Sequence, residues 1–161
     1  MSNPTFTHLD AAGNPSMVNV SEKAVTQRSA RARAIVSLPQ AVLDLLERGD
    51  IHMPKGPVFQ TAIIAGVMAA KKTGELIPLC HPLGMDHCSV NIHVNGQQDV
   101  VVECTASINA KTGIEMEALT GATLAALTIY DMCKALSHDI VIREIRLMEK
   151  TGGKRDFKRE E

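Results

Sequence analysis

An acid and an amine that can exchange protons stand close together near one end of a long apolar stretch. Asp131 and Lys134 belong to Glu115–Leu136, EMEALTGATLAALTIYDMCKAL, which has no proline and is rich in Ala, Leu and Met. This length predicts about six turns of helix. A helical wheel is apolar on almost every side, which predicts burial, except for a stripe that includes Glu117, Thr120, Asp131 and Lys134.

Asp131 and Lys134 share one helix face, because residues at i and i+3 point the same way. An intrahelical salt bridge is the alternative interpretation of this pair. Two observations favour chemistry. The surrounding helix is apolar, where a charge is costly unless it is matched or used, and the dipole near the C-terminal end disfavours a carboxylate. We therefore predict a catalytic site at this end of the helix.

Other titratable residues lie on segments that the sequence predicts to be rigid. IHMPKGP (51–57) has two prolines and a glycine, which predicts an irregular loop carrying Lys55. ELIPLCHPLG (75–84) holds Cys80 and His81 between two prolines, in an extended segment typical of a site wall. The candidate set is Lys55, Lys71, His81, Glu115, Glu117, Asp131 and Lys134. These acids and amines suit acid–base work on an anionic, phosphorylated small molecule.

Metal and nucleotide motifs give little support to other chemistries. Cysteines and histidines crowd the region from Cys80 to His93, so zinc is an alternative. Their spacing matches no compact zinc pattern, and adjacent Cys80 and His81 are poorly placed to share one ion. We predict no bound metal and no cofactor, although magnesium accompanying a phosphorylated substrate stays open. The sequence has no Walker loop, dinucleotide-binding GxGxxG or nucleophile elbow.

Alternation of apolar and polar residues predicts the strands. They are Met17–Ser21, Arg28–Leu38, Cys88–Val94, Asp99–Ile108 and Ile140–Lys150, with a turn at 95–98 joining the third and fourth into a hairpin. In the second strand Ala30, Ala32, Ala34 and Val36 share the face expected to pack under a helix.

Two further helices complete the prediction. One is short, beginning at Pro39 and ending at Gly49. The other covers Val58–Thr73 with Gly74 as its C-cap, where Lys71 also suits a helix C-terminus as a surface lysine. The succession β-α-β-β-α-β predicts an α+β fold, a ferredoxin-like sandwich with an antiparallel sheet covered by helices. A parallel sheet would have more continuous apolar strands.

Composition sets the class of protein. The 161 residues fit one domain, 1–161, with flexible extensions expected at about 1–15 and 151–161. Hydrophobic residues make up 45% and aromatic residues only 2%, so the core is built from small side chains and subunit contacts are expected to add stability. A net charge of −1 argues against nucleic-acid binding by bulk electrostatics.

Cysteine usage and hydropathy predict a cytoplasmic protein without a membrane partner. The four cysteines form no CxxC motif and no short disulfide framework, which is typical of a reducing compartment. The sequence has no signal peptide and no apolar run of transmembrane length.

Three long strings resemble one known family. They are LIPLCHPL (76–83), KTGIEMEALTGA (111–122) and ALTIYDMCKAL (126–136). Shorter matches, MVNVS, the KG at 55–56, IAGVMAAKKT and the TGGK of the tail, extend the resemblance over nearly the whole chain. In these strings the chain is similar to the cyclic pyranopterin monophosphate synthase family, the molybdenum cofactor biosynthesis protein C.

The resemblance implies a lyase that acts on (8S)-3′,8-cyclo-7,8-dihydroguanosine 5′-triphosphate, forms cyclic pyranopterin monophosphate and releases pyrophosphate. It implies catalytic roles for Asp131, Lys134 and Lys55. The residues that it implies for substrate binding, together with Glu115 from the candidate set, are Leu79, Cys80, His81, Met116, Glu117, Lys71 and Arg28. It also implies a ferredoxin-like hexamer, a trimer of dimers, with its sites at subunit interfaces.

One position departs from the family pattern, because Ile63 stands in TAIIAG where the family string has an arginine. If that arginine holds phosphate or a subunit contact, Lys71 or Arg28 is expected to take its place. Two other functions stay open from the sequence. One is a non-catalytic oligomeric binding protein, and the other is a different phosphate-transforming enzyme on the same fold.

Overall fold

The structure, a computed structural model, describes residues 8–160. Its strands are β1 (Thr26–Ser37), β2 (Leu46–Glu47), β3 (Asp50–Met53), β4 (Gly56–Pro57), β5 (His87–Val94), β6 (Asp99–Ala110), β7 (Val141–Thr151) and β8 (Phe157–Lys158). Its helices are α1 (Gln40–Leu43), α2 (Val58–Lys71), α3 (Thr73–Leu76) and α4 (Glu115–Cys133).

The main sheet has five strands in the order β5-β6-β1-β7-β8, and every neighbouring pair is antiparallel. Its four long strands and the helices α2 and α4 follow one another as β-α-β-β-α-β. The predicted ferredoxin-like α+β architecture is therefore confirmed. The predicted hairpin is confirmed as β5 and β6, and α4 begins at the predicted residue and ends three residues early.

Strand β1 shows why the helices cover one face of the sheet. Ala30, Ala32, Ala34 and Val36 are buried and point toward the helices, as predicted. Arg31 lies on the other face, where it bonds to Glu103 of β6. Small side chains on the covered face bring α4 close to the sheet, so that the helix lies over the centre of the core.

Two glycines set the distance between α2, α4 and the sheet. A Cβ atom at Gly66 of α2 would lie 2.9 Å from the carbonyl oxygen of Gly121 in α4. A Cβ atom at Gly121 would lie 2.5 Å from the Cys104 sulfur of β6. Any larger residue would force these elements apart, so the close packing of the three elements depends on both glycines.

The close approach of α2 also decides which side of α4 is buried. Glu117 and Thr120, predicted to lie in one polar stripe with Asp131, are buried. Met116 and Leu127, placed by the wheel on an apolar flank, are exposed. The predicted division of α4 into one polar stripe and buried apolar flanks is therefore wrong in part. Glu117 and Thr120 at the beginning of the stripe are buried, while Asp131 and Lys134 at its end are exposed.

The segment from Pro39 to Pro57 is more strand-like than predicted. The short helix ends at Leu43. Gly49 is not a helix cap but forms, with Arg48, a two-residue turn between β2 and β3. Arg48 and Gly49 both have positive φ, 51° and 84°, as that type of hairpin turn requires. IHMPKGP also contains strands, since β3 pairs with β4, and Lys55 lies in the turn between them.

Smaller differences occur elsewhere in the chain. Met17–Ser21 is not a strand and pairs with no strand of the described residues. Thr73–Leu76 continues α2 as the short helix α3, past the predicted Gly74 cap. In the tail, β8 pairs with β7. Residues 1–7 of the predicted loose opening lie outside the described residues. Within residues 8–160, no helix combines the length and apolar character needed to cross a membrane.

Candidate active site

The acid and the amines predicted to exchange protons meet at the C-terminal end of α4. Lys134 Nζ lies 2.8 Å from Asp131 Oδ1, and Lys55 Nζ lies 3.8 Å from Asp131 Oδ2. The three side chains are about half exposed: 54% for Asp131, 51% for Lys134 and 64% for Lys55. The expectation of a buried pair is therefore wrong for the single chain. These three residues are the candidate catalytic residues, and we refer to them below as the catalytic cluster.

Asp50 fixes the turn that brings Lys55 to this cluster. Its Oδ1 accepts hydrogen bonds from the backbone N–H of Phe59 at 2.7 Å, and its Oδ2 accepts one from Gln60 at 3.1 Å. These N–H groups belong to the first turn of α2, which has no side-chain cap of its own. A carboxylate there is favoured by the helix dipole. Asp50 thus ties the β3–β4 hairpin to α2, and the hairpin's turn carries Lys55 toward α4.

The charges of the catalytic cluster stabilise one another. The hydrogen bond and charge of Lys134, and then the charge of Lys55, lower the pKa of Asp131. The same carboxylate raises the pKa of Lys134. Proton donation by an amine near neutral pH is favoured by a lowered pKa, and the pKa of Lys134 is shifted in the opposite direction. Near neutral pH, Asp131 is therefore an ionised acceptor and Lys134 a protonated donor, while their pairing makes the carboxylate a weaker base and the ammonium a weaker acid.

A cavity of about 360 Å³ at the other end of α4 collects most of the predicted substrate-binding residues. The predicted residues that line it are Leu79, Cys80, His81, Glu115, Met116 and Glu117. The first three come from the loop after α3 and the others from the first turn of α4. It is the candidate substrate site, and we refer to it below as the substrate cavity. Its lining combines apolar side chains with two carboxylates, histidine and a lysine, as is typical of a cavity that binds a small molecule.

Glu117 is the buried acid of this cavity. It is 3% exposed, and burial, with a smaller contribution from the charge of Glu115, raises its pKa. A raised folded pKa means that the native state binds more protons than the unfolded state, so stability falls as pH rises through and above the ordinary carboxyl value. The pKa of the neighbouring Cys80 thiol is also raised, first by burial of the thiol itself and then by the charge of Glu117.

Replacing Glu117 by glutamine is expected to raise the Tm by a few degrees at pH 7, because the buried charge is removed. The difference should shrink toward zero near pH 4, where Glu117 in the native protein is protonated. Thermal unfolding of both proteins between pH 4 and pH 8 measures this. Glu75→Gln, at an exposed acid of α3, is the matched control and should show no such trend. A Tm difference that stays the same at all pH values would contradict the assigned burial cost.

Arg28 lies in a neighbouring cavity of about 210 Å³. Two lysines from the end of β7 and the following loop, Lys150 and Lys154, line the same space. Glu115 lines both this cavity and the substrate cavity, and Lys150 Nζ lies 2.9 Å from its Oε1. The Arg28 guanidinium is partly occupied, since it donates to the backbone carbonyls of Ala110 and Lys111. Three cations beside the substrate cavity are suited to an anionic group.

Lys71 lies on the other side of the loop after α3. It lines a cavity of about 520 Å³ together with Leu83, which also lines the substrate cavity, and with Cys88 of β5. Lys71 is exposed, as its position at the end of α2 predicts. Its charge contributes to a lowered pKa of the Cys88 thiol, after the hydrogen bond from Cys104. Lys71 thus borders the substrate cavity without lining it.

The chain does not bring the predicted site residues together in one place, and the two main groups lie at opposite ends of α4. Glu117 is at the beginning of α4 and Asp131 near its end, which at a rise of about 1.5 Å per residue puts them about 21 Å apart along the helix. This exceeds the reach of any side chain in the catalytic cluster. The first turn of α4 and the cluster near its end are therefore separate sites within one chain.

Several residues that line these cavities were not predicted from the sequence. Val18, Val20 and Lys23 line the substrate cavity from the segment before β1, and Lys150 reaches Glu115 from β7. These contacts join residues far apart in the chain, and no local spacing indicates them. For Lys150 a usable signal exists, since the antiparallel pairing of β7 with β1 places it opposite Ala30, near Arg28.

Metal binding has no visible basis in the part of the chain that the structure describes. No group of three or more His, Cys, Asp or Glu side chains in residues 8–160 is arranged to hold an ion. Cys80, Cys88, Cys104 and Cys133 are free thiols.

Together these features define a class: an α+β protein with a carboxylate between two lysines near one end of its central helix and a small-molecule-sized cavity at the other. The comparisons with known proteins make this specific. The profile of the MoaC family matches residues 17–153, so this chain belongs to the MoaC family. Its relatives include the cyclic pyranopterin monophosphate synthases of Xanthomonas axonopodis pv. citri and Xanthomonas oryzae pv. oryzae, 55% and 54% identical over 152 residues. Each match covers 94% of this chain and 92% of the relative.

A longer relative also matches. The molybdenum cofactor biosynthesis bifunctional protein of Synechocystis sp. is 50% identical over 155 residues, which are 94% of this chain and 45% of that protein. This chain thus spans about half the length of that relative, and nearly all of the Xanthomonas proteins.

Proposed function

We propose that this chain is a lyase of molybdenum cofactor biosynthesis. It converts (8S)-3′,8-cyclo-7,8-dihydroguanosine 5′-triphosphate into cyclic pyranopterin monophosphate and pyrophosphate. The observation that supports this best is the catalytic cluster, one carboxylate held between two lysines, in a chain about half identical to synthases of that name. Rebuilding a purine ring into a pterin requires protons to be removed and delivered at several heteroatoms.

The cluster supplies both kinds of proton transfer. Asp131, ionised near neutral pH, accepts a proton, and Lys134, protonated, donates one. Lys55 adds a second positive charge beside the carboxylate and is suited to stabilise negative charge that develops on the substrate. When the cyclic phosphate closes, a substrate hydroxyl oxygen attacks the α-phosphorus and the bond to the departing pyrophosphate breaks. Cations near the phosphates stabilise that leaving group.

Two groups of residues hold the substrate in this proposal. Leu79, Cys80, His81, Met116 and Glu117 of the substrate cavity contact the base, with Glu115 beside them. Arg28 and Lys71, on either side of the cavity, hold the phosphates. Ile63 of α2 is only partly exposed and carries no charge. If the arginine that the family string has at this position holds phosphate or a subunit contact, Lys71 or Arg28 takes its place.

The distance between the two sites is explained if the active site is completed by a second subunit. We place the catalytic cluster of one subunit against the substrate cavity of another, in a hexamer built as a trimer of dimers. Two observations support an assembly. Ile64, Met68 and Leu127 are exposed on α2 and α4, and the exposed part of α4 carries the cluster itself. Apolar helix surfaces of this kind are typical of subunit contacts. The cytoplasm, where free thiols persist, is the proposed location.

Incubation with the cyclised GTP-derived triphosphate tests the function. Pterin and pyrophosphate should form in equal amounts, and Asp131→Asn protein should form neither above background. Binding of the substrate without turnover would favour the non-catalytic binding protein. Release of phosphate or pyrophosphate without pterin would favour a different phosphate-transforming enzyme.

Replacing Lys71 by alanine is expected to raise KM about tenfold and to change kcat by less than about threefold, because its charge holds phosphate in both the ground and transition states. Steady-state kinetics with the same substrate measure both constants. Lys72→Ala, at the neighbouring exposed lysine, is the control and should leave both nearly unchanged. An unchanged KM with a collapsed kcat would assign Lys71 to the chemistry.

A further inference from the structure

The segment 17–23 contributes three residues to the lining of the substrate cavity, although it belongs to no strand or helix. Val18, Val20 and Lys23 face it from this segment, which has no ladder hydrogen bonds to the described strands. Lys23 is the lysine that this cavity contains. A segment without regular structure stays in one place only if side chains hold its backbone, since fixing each residue costs about 1–2 kcal/mol of conformational entropy.

Two side chains hold the segment, one at each end of its contact with the cavity. His81 Nε2 lies 2.8 Å from the carbonyl oxygen of Val18. Lys111 Nζ donates to the carbonyl oxygen of Ser21 at 2.7 Å. An ammonium donor makes a charge-assisted bond, stronger than one between neutral groups. His81 itself lines the cavity, whereas Lys111 does not, so Lys111 is the support that is independent of the ligand.

Lys111 stands on a fixed base. It follows β6 directly, and the Arg28 guanidinium donates to the carbonyls of Ala110, at 3.0 Å, and Lys111, at 3.3 Å. The acceptor is also fixed, because Asn19 Oδ1 accepts from the Ser21 N–H at 2.9 Å and closes a turn. The Ser21 carbonyl is thereby presented to the ammonium group of Lys111.

We propose that residues 17–23 form a wall of the substrate cavity and that Lys111 is the positioning residue that holds this wall in place. The proposal takes the identity of the substrate from the proposed function. Lys111 lines none of the cavities named above, so it acts through the wall and not through contact with substrate. Without this bond the segment moves, and each binding event must order it again, which weakens binding and leaves the assembled site intact.

The test compares Lys111→Met, which keeps side-chain length and removes the donor, with Lys111→Arg, which keeps a donor and a charge. Lys158→Met, at an exposed lysine of β8 opposite Glu149, is the matched control. Lys111→Met should raise KM about tenfold and change kcat by less than about twofold, and Lys111→Arg should recover most of the loss. The control should match the unchanged protein.

Amide hydrogen exchange measures directly, without substrate, how firmly the wall is held. The amides of Ser21 and Lys23 are bonded within the segment, the second to the carbonyl of Val20 at 3.1 Å. In Lys111→Met these two amides should exchange about tenfold faster, while those of β6 and α4 stay unchanged. Asn19→Ala, at an exposed residue, removes the acceptor of the Ser21 amide itself, so its effect on the wall is measured at the Lys23 amide and in KM. Both should change as in Lys111→Met, which keeps the test open if Lys111→Met folds poorly.

The outcomes separate this proposal from the proposed function. Unchanged exchange at Ser21 and Lys23 in Lys111→Met, together with unchanged exchange at Lys23 in Asn19→Ala, overturns the wall, whatever the kinetics show. A lowered kcat with unchanged KM in Lys111→Met also overturns it, because Lys111 would then act in the chemistry. If the unchanged protein forms no pterin, the proposed function fails. Faster exchange confined to residues 17–23 would still support Lys111 as the residue that holds the wall.

Discussion

Asp131→Asn is expected to lower turnover by about two orders of magnitude or more, the usual scale for a general acid–base group. Asparagine keeps the size of the side chain and a hydrogen-bond acceptor for Lys134, but it does not take up a proton. The loss should therefore appear in kcat with little change in KM. Steady-state rates of pterin formation, with circular dichroism and light scattering to verify fold and assembly, measure it.

Lys134→Ala should cause a comparable loss, and the double variant should lose little more than either single one, because removal of either member disables the unit. Asp139→Asn, at an exposed acid just beyond α4, is the matched control and should keep normal activity. The alternative, an ordinary surface salt bridge between half-exposed groups, contributes little stability and no activity. A folded, correctly assembled Asp131→Asn protein with near-normal turnover would show that this alternative is right.

The fold is predictable from the sequence because its signals are local and repeated. Ala30, Ala32 and Ala34 alternate with arginines, and that period of two fixes both the strand and its buried face. The turn at 95–98 fixes the β5–β6 hairpin in the same way. The structure around Gly49 is harder to predict, because a glycine after a short apolar run is compatible both with a helix cap and with a hairpin turn. Only the pairing of β2 with β3 decides between them.

The candidate site is less predictable, because its geometry depends on packing between distant elements. The i, i+3 spacing brings Lys134 to Asp131, and that contact is predictable. The exposure of Asp131 is not predictable, because it depends on which side of α4 packs against α2 through the contact between Gly66 and Gly121. The bond from Lys111 to Ser21 joins residues far apart in sequence and leaves no local pattern at all.

Mixed oligomers test whether the active site spans two subunits. Asp131→Asn chains lack a working catalytic cluster, and Glu117→Ala chains lack the buried acid of the substrate cavity. Each protein alone is expected to be nearly inactive. Unfolded and refolded together in equal amounts, they should regain about one quarter of normal activity, since about one site in four then combines an intact cluster from one chain with an intact cavity from the other.

A second mixture verifies the conclusion, because incomplete mixing of chains alone would also reduce the activity recovered in the first. Chains carrying both Asp131→Asn and Glu117→Ala, assembled with equal amounts of unchanged chains, should give about one quarter of normal activity if the site spans two subunits, and about one half if each site lies within one chain. The separation of about 21 Å along α4 favours one quarter, because no side chain of the cluster reaches the cavity of its own chain. No recovery of activity in the first mixture, together with about one half of normal activity in the second, would place the complete site inside a single subunit.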